Sequence, residues 1–176
     1  MSVIEKMKAV FYKARGRAPD GLPEGKMEMS AALAARVIRA DGRVEEKGVL
    51  SRRCVTTAFV NYLVACFLNS TTSPLDLFKY HDAGTGTGAE ASGDTALGTA
   101  WGGARATGTN STGATANVFQ SLATIAFTSA KAVVEHGVFS TTNAATLLDR
   151  SSFAAINVAS GDSIQFTYGL TCTPGG

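Results

Sequence analysis

The stretch Ser163-Ile-Gln-Phe-Thr-Tyr-Gly-Leu-Thr-Cys172 has the clearest two-residue repeat in the chain. Its apolar positions share one face: Ile164, Phe166, Tyr168, Leu170 and Cys172. Successive side chains of a β-strand point to opposite faces, so the repeat predicts a strand with one buried face. Ser160-Gly-Asp162 directly before it consists of turn-forming residues, so we predict a turn that joins this strand to the preceding one.

Similar segments precede that strand in the sequence, separated by short stretches of the length found in hairpin turns. We predict strands over residues 147–158, 132–140, 117–128, 77–82 and 48–55, with a long loop of small residues before residue 117. Short strands separated by regular turns predict a mainly β fold, an antiparallel β-sandwich, for which a jelly roll is one topology.

One segment has helical spacing instead. Its apolar residues fall on one side of a helix: Phe59, Val60, Leu63, Val64, Phe67 and Leu68. Thr56 or Thr57 is a suitable N-cap, and the run ending at Pro74 stops the helix. We therefore predict an amphipathic helix over 57–69 that packs on the sheet or on a partner.

The region before these elements has a run rich in alanine near residues 31–35. Its alanines favour helix or irregular structure from Met27 to Arg36, with a strand beyond and a hairpin around Asp41-Gly42. Residues 1–26 form a predicted N-terminal basic arm, and residues 27–176 a single β-sandwich domain. Turn residues from Pro19 to Gly25 mark the boundary.

Charge is distributed unevenly along the chain. Residues 1–53 hold 12 of the 16 Lys and Arg and 7 of the 14 acids, a net +5, which leaves −3 for the remainder. The charged fraction of 17% is low against a usual value of about 25%. A surface with few charges loses its water at small electrostatic cost, which favours assembly. Nucleic-acid binding by the arm is the weaker alternative, because its acids are interspersed and few aromatics accompany it.

Motifs for catalysis, metal binding or cofactor binding are incomplete. Gly84-Thr-Gly-Thr-Gly88 lacks the Lys-Ser/Thr of a phosphate loop, so we predict a flexible or interface loop there. No GxSxG elbow is present. His81 and His136 meet only if their strands pair, and two nitrogens are half of a metal site. We predict no enzyme activity, no catalytic, metal or cofactor site, and a hydrogen-bonded structural role for both histidines.

Interface residues are the predicted functional positions instead. The arm offers Ile4, Met7, Val10 and Phe11 at helical spacing, and a small-residue loop offers Trp101 and Arg105. A large aromatic in such a loop is typical either of an interface anchor or of a side chain that staples the loop. No apolar stretch reaches the length of a membrane span, so a membrane is not an expected partner.

An ordered string of motifs resembles a known group of proteins. Its parts are 50–58 (LSRRCVTTA), 78–97 (FKYHDAGTGTGAEASGDTAL), 135–140 (EHGVFS), 148–156 (LDRSSFAAI) and 160–168 (SGDSIQFTY). Together they resemble small virion structural proteins of tailed bacteriophages, similar to capsid cement or decoration proteins. The resemblance covers residues 48–176.

The resemblance implies a structural function on the virion. A cement protein stabilises the shell formed by the major capsid protein, often as a dimer or trimer of itself, and sits on the capsid surface after assembly in the host cytoplasm. The alternative within the same class is a tail fibre or tail-adaptor component. Neither function requires a cofactor.

Overall fold

The computed structural model describes residues 27–53, 55–68 and 74–174. Residues Met29–Cys172 form one compact unit, and every site discussed below lies in it. The predicted arm 1–26, with Ile4, Met7, Val10 and Phe11, falls outside the described residues.

The described residues form nine strands and one α-helix. The strands are β1 Met27–Ile38, β2 Val44–Arg53, β3 Tyr80–Gly84, β4 Ala106–Thr107, β5 Thr109–Thr112, β6 Val118–Ala126, β7 Lys131–Phe139, β8 Leu147–Val158 and β9 Ser163–Pro174. The helix α1 spans Thr57–Leu68, and a 3₁₀ turn follows at Leu75–Leu77.

Two antiparallel sheets form a β-sandwich. Sheet A has the order β2-β1-β9-β6-β5, and sheet B the order β4-β3-β7-β8. Three pairs of neighbours in sequence form hairpins, namely β1–β2, β5–β6 and β7–β8. Strand β4 pairs with β3 across a long loop, and β9 lies between β1 and β6. The predicted antiparallel sandwich is therefore confirmed. The order of its nine described strands differs from the eight strands and two Greek keys of a jelly roll.

Strand β1 corrects the prediction of helix or irregular structure before Arg36. Alternate residues of β1 are buried: Ala31, Leu33, Ala35 and Val37. This two-residue repeat was hidden because alanine fills both faces of the segment. Burial against the opposite sheet outweighs the helix propensity of alanine, which is worth only tenths of a kcal/mol per residue.

The core lies between the inner faces of the two sheets. Strand β9 contributes the predicted face, with Ile164, Phe166 and Tyr168 fully buried. Strand β6 pairs with β9 in register over nine residues, from Val118 opposite Thr171 to Ala126 opposite Ser163. The predicted turn before β9 is confirmed, with Gly161 at a positive φ of 89°. It carries the chain from β8 in sheet B to β9 in sheet A, so β8 and β9 do not form a hairpin.

Helix α1 packs on the sandwich through one of its flanks. The Phe59 N–H donates to Thr56 Oγ1 at 3.2 Å, so Thr56 is the N-cap. Phe59 is buried and meets Phe78 edge-to-face, with ring centroids 5.0 Å apart, and Tyr62 meets Phe78 at 4.9 Å. In the described part of the chain, no helix has the length and apolar character needed to cross a bilayer.

The long edge strands are protected against pairing with other chains. Strand β2 has two register shifts against β1 and carries Glu45, Glu46 and Lys47. Along β8, the backbone N–H of Thr56 donates to the Leu148 carbonyl at 2.9 Å, and Glu90 accepts a bond from the Ser152 N–H. Bulges, charges and covering segments are the usual ways in which an edge is prevented from recruiting a further strand.

Candidate functional site

The two histidines meet inside the sandwich. Strands β3 and β7 pair, and His81 Nδ1 lies 2.9 Å from His136 Nε2. Both rings are completely buried. Burial lowers the pKa of His81 to about 4. The pKa of His136 is also lowered, mainly by burial and to a smaller extent by the neighbouring His81. Both imidazoles are therefore neutral at pH 7 and act as hydrogen-bonding groups of the core.

Ser121 extends this pair across the sandwich. Its Oγ lies 2.9 Å from His81 Nε2, which joins β6 of sheet A to β3 of sheet B. An activated nucleophile has a similar arrangement, in which a serine contacts a histidine and a third group orients that histidine. Here Ser121 is as completely buried as the two histidines, so its hydroxyl is shielded from any substrate. The chain of three side chains links the two sheets.

The inner face holds a second polar pair close to the histidines. Ser151, which lies opposite His136, donates to Asp149 Oδ1 at 2.8 Å. Asp149 is completely buried, and burial raises its pKa to about 6 against the smaller opposing effect of Ser151. No three His, Cys, Asp or Glu side chains among residues 27–53, 55–68 and 74–174 are placed to hold a metal ion.

Glu135 points to the other face of sheet B, opposite to its neighbour His136. Its carboxylate accepts backbone N–H donors from Gly86 at 2.8 Å, Gly98 at 2.9 Å and Thr99 at 2.8 Å. Burial would raise the pKa of Glu135, but these donors and Arg150 outweigh it and hold the pKa below its usual value. The buried group is therefore an ionised carboxylate inside a backbone cradle.

Arg150 completes the cradle from the adjacent strand. Its guanidinium donates to Glu135 Oε2 at 2.8 Å and to Asp94 Oδ2 at 2.9 Å. It also donates to the carbonyl oxygens of Gly88 at 3.0 Å and Ala89 at 3.2 Å. One buried ion pair thus fixes the long loop between β3 and β4.

The glycine-rich motif 84–88 is part of this cradle. The prediction of a flexible or interface loop gives way to a fixed segment, because the Gly86 N–H donates to Glu135 and the Gly88 carbonyl accepts from Arg150. A Cβ on Gly84 would lie 2.4 Å from Glu135 Oε1, and one on Gly86 would lie 2.5 Å from the same atom. The motif therefore has glycines where backbone must approach an internal carboxylate closely.

Replacing Gly86 by alanine is expected to lower the free energy of unfolding by about 1–3 kcal/mol, the usual cost of forcing a group into a filled site. Gly88 is a matched control, because a Cβ there meets nothing within 4 Å. Chemical denaturation of Gly86→Ala and Gly88→Ala would measure both. Equal stabilities of the two variants would contradict the role of the cradle.

Trp101 lies in the loop between β3 and β4 and packs within the chain. Its backbone N–H donates to the Ala83 carbonyl at 3.0 Å, and its half-buried ring lies 4.9 Å from that of Phe127. The sequence left two roles open for Trp101, an interface anchor or a side chain that fixes its own loop. The contacts within the chain favour the second role.

Arg105 is likewise engaged within the chain. Its guanidinium lies 3.6 Å from the centroid of the Phe139 ring and donates to the carbonyls of Thr141 and Asn143 at 2.9 and 2.7 Å. It also forms an ion pair with the buried Asp82 at 3.4 Å. These contacts hold two neighbouring loops together and leave few donors for a partner.

Helix α1 has an exposed flank, which is formed by Val60, Val64 and Phe67. These residues lie at i, i+4 and i+7, so they share one side of the helix. Phe67 is 81% exposed and Val64 56% exposed, so of the two covers predicted for this stripe, the sheet or a partner, the sheet does not cover these side chains. The helix carries no charged residue from Thr57 to Leu68. An uncharged, apolar flank open to solvent is typical of an interaction surface.

Comparisons with protein-family models, with curated proteins and with solved structures find no match.

Proposed function

We propose that this chain is a non-enzymatic structural protein of a tailed-bacteriophage virion, a cement or decoration protein that stabilises the shell of major capsid protein. It would be assembled in the host cytoplasm and reside on the capsid surface. The observation that carries the proposal is the apolar flank of α1, which the described residues 27–53, 55–68 and 74–174 leave exposed.

The exposed flank has enough apolar area for docking at a repeated site. Fully burying a large apolar side chain contributes about 1.5–3 kcal/mol. Scaled by their exposed fractions, the three side chains would contribute roughly 3–5 kcal/mol gross per copy. That is modest for one contact, but a shell offers many equivalent sites, and each added copy joins neighbouring capsid subunits.

The edges of the sheets favour docking through a surface over strand addition. The bulges and charges of β2 and the covered backbone of β8 oppose extension by another chain. An assembly built through the α1 flank therefore adds a defined number of copies, as a shell with fixed binding sites requires.

The polar groups of the core support a structural function over an enzymatic one. The Ser121-His81-His136 chain is sealed between the sheets, and Glu135 and Arg150 are used to fix a loop. Each of these groups has a partner within the chain that explains its position. The same groups would be expected of a rigid body that must keep its shape on a pressurised particle.

Replacing Val64 by aspartate is expected to reduce binding to capsids that lack the protein by at least about tenfold, because a carboxylate would have to be buried in an apolar contact. Asn61→Asp is a matched control, since Asn61 is exposed and already polar on the same helix. Co-sedimentation of each purified variant with such capsids measures the binding. Equal binding of Val64→Asp and the wild type would contradict docking through this flank.

Copy number in purified virions tests the assignment itself. A cement protein is expected in numbers comparable to the major capsid protein, whereas a tail fibre or tail adaptor is present in few copies. Quantitative mass spectrometry of the particles distinguishes them, and absence of the chain from virions would refute both.

A further inference from the structure

Three polar atoms in the core have no hydrogen-bond partner among the described residues: His136 Nδ1, Asp149 Oδ2 and Tyr168 Oη. All three residues are completely buried. In folded proteins roughly 90% or more of buried polar groups are paired, either with another protein group or with ordered water. If the three atoms lie close together, a further hydrogen-bonding group belongs between them.

The pairing of the strands arranges the polar side chains in two rows. In sheet B, His81 pairs with Val138, and Val138 pairs with Asp149, so these residues form one row on the inner face. In sheet A, Ser121 pairs with Tyr168 on the opposing inner face. The contact of 2.9 Å between Ser121 and His81 sets the two rows against each other.

A ring contact shows which strand of sheet B lies across from β9. The ring of Phe166 lies 4.3 Å from that of His136 on β7. Phe166 and Tyr168 share the inner face of β9, so Tyr168 also points towards β7 and its neighbour β8. His136 and Asp149 are diagonal neighbours on those two strands, because Ser151, two residues after Asp149, pairs with His136. The three atoms therefore belong to one small region of the core.

The protonation states leave both a donor and an acceptor to be satisfied in this region. Burial, followed by the nearby charge of Asp149, raises the pKa of Tyr168 well above its usual value, so its hydroxyl keeps its proton and can donate. Asp149, with a pKa of about 6, is mainly ionised at pH 7, so its Oδ2 can only accept. Nδ1 of the neutral His136 donates in one tautomer and accepts in the other.

We propose that this region is a binding site for one water molecule, which bridges Tyr168 Oη, Asp149 Oδ2 and His136 Nδ1. The water accepts a hydrogen bond from the Tyr168 hydroxyl and donates one to the Asp149 carboxylate. Because water both donates and accepts, it also pairs with His136 in either tautomer. Buried waters usually make about three hydrogen bonds, which is the number that these atoms offer. A metal cation fits less well, since it cannot accept the proton of Tyr168.

The bound water joins two groups of polar side chains into one network. The first is the Ser121-His81-His136 chain, and the second is Ser151 with Asp149. With the water between His136 and Asp149, a continuous hydrogen-bonded path crosses the sandwich from β6 to β8. The site does not depend on the proposed function, because all of these groups lie between the two sheets.

A high-resolution crystal structure of the full chain tests the position of the water. The expected result is density for a water at about 2.7–3.2 Å from at least two of the three atoms. A structure in which fewer than two of them contact a common water would overturn the inference. Such a result includes a direct hydrogen bond between Tyr168 and Asp149 that leaves no water beside them.

Magnetic relaxation dispersion of water nuclei tests the site in solution. Tyr168→Phe keeps the ring and removes one of the three partners, so it is expected to shorten the residence time of the bound water about tenfold, equivalent to about 1.4 kcal/mol in a rate. Tyr62→Phe is the matched control, because the Tyr62 hydroxyl donates to the Pro74 carbonyl at 3.2 Å, beside α1. It should leave the dispersion unchanged.

Circular dichroism of both variants checks that the β-sandwich is folded. A folded Tyr168→Phe with the same dispersion as the wild type would refute the site. If this variant does not fold, the crystal structure of the wild type decides the question alone. Neither result affects the proposed docking through α1, which is measured by the capsid binding of Val64→Asp.

Discussion

Arg150→Ala is expected to lower the free energy of unfolding by about 3–5 kcal/mol, because it leaves the Glu135 carboxylate buried without its counter-ion. Both residues are almost inaccessible to water, and the guanidinium has four partners within the chain. Its loss also releases Asp94 and the carbonyl oxygens of Gly88 and Ala89, so the loop between β3 and β4 loses its attachment to β8. Urea denaturation followed by circular dichroism gives the change directly.

Two further variants separate the effect of burial from that of charge pairing. Arg43 and Asp41 form an ion pair at 2.8 Å with both side chains mostly exposed, so Arg43→Ala should cost less than about 1 kcal/mol. The double variant Glu135→Gln with Arg150→Met removes both charges and should be more stable than Arg150→Ala alone. If Arg150→Ala cost no more than Arg43→Ala, the ion pair would not anchor the loop.

Asp149→Asn is expected to stabilise the protein at pH 7, by up to about 3 kcal/mol. Burial raises the pKa of Asp149 from 3.8 to about 6, so at pH 7 the folded protein holds a carboxylate in an environment that favours the neutral acid. Each unit of pKa difference between folded and unfolded states is worth about 1.36 kcal/mol. The asparagine side chain has a similar shape and carries no charge, so it avoids this cost.

The sign of the pH dependence follows from the same shift. Between about pH 4 and pH 6 the folded state binds a proton at Asp149 that the unfolded state does not, so this residue favours folding more as the pH falls. His81 acts oppositely, because its folded pKa of about 4 lies below the usual 6.5 and acidification protonates the unfolded chain first. In the wild type the two effects partly cancel. The asparagine variant lacks the compensating effect of Asp149 and should lose stability more steeply in acid.

Unfolding free energies at pH 7 and near pH 4 test this argument. The stability advantage of Asp149→Asn should shrink as the pH falls, and an advantage that stays constant would contradict it. Asp76→Asn is a control at an exposed carboxyl group, where the change should stay below about 0.5 kcal/mol at either pH.

Much of the fold was predictable from residue periodicity. Strand β8 was predicted over the residues that it occupies, and β9 over most of its length, because their repeats are bounded by turn residues. The helix was predicted within one residue, since Thr56 and Pro74 bracket its apolar stripe. Strand β1 was missed, because a strand that alternates between alanine and larger residues resembles a helix when its neighbours are unknown.

The polar interior could be predicted only in part. The sequence indicated that His81 and His136 would meet if their strands paired, and they do. The role of Glu135 was missed, because its donors lie 36 to 49 positions away in the chain. The signal present was the spacing of Gly84 and Gly86, which permits close approach of a carboxylate but does not identify it.

The stripe of α1 shows a further limit of sequence patterns. Periodicity placed Phe59, Val64 and Phe67 on one broad apolar side, but it could not show which part the sandwich covers. The structure covers Phe59 and leaves Phe67 open. This division depends on where β8 and Phe78 lie, which is a property of the tertiary fold.

The position of β9 has a consequence for how the protein is made. It leaves the ribosome after the eight other described strands, yet it is the neighbour of both β1 and β6. Until it arrives, the nascent β1–β2 and β5–β6 hairpins each lack a hydrogen-bonding partner, and sheet A cannot close. Folding should therefore be completed only after translation of this segment, at the slow rates typical of pairing between distant parts of a chain.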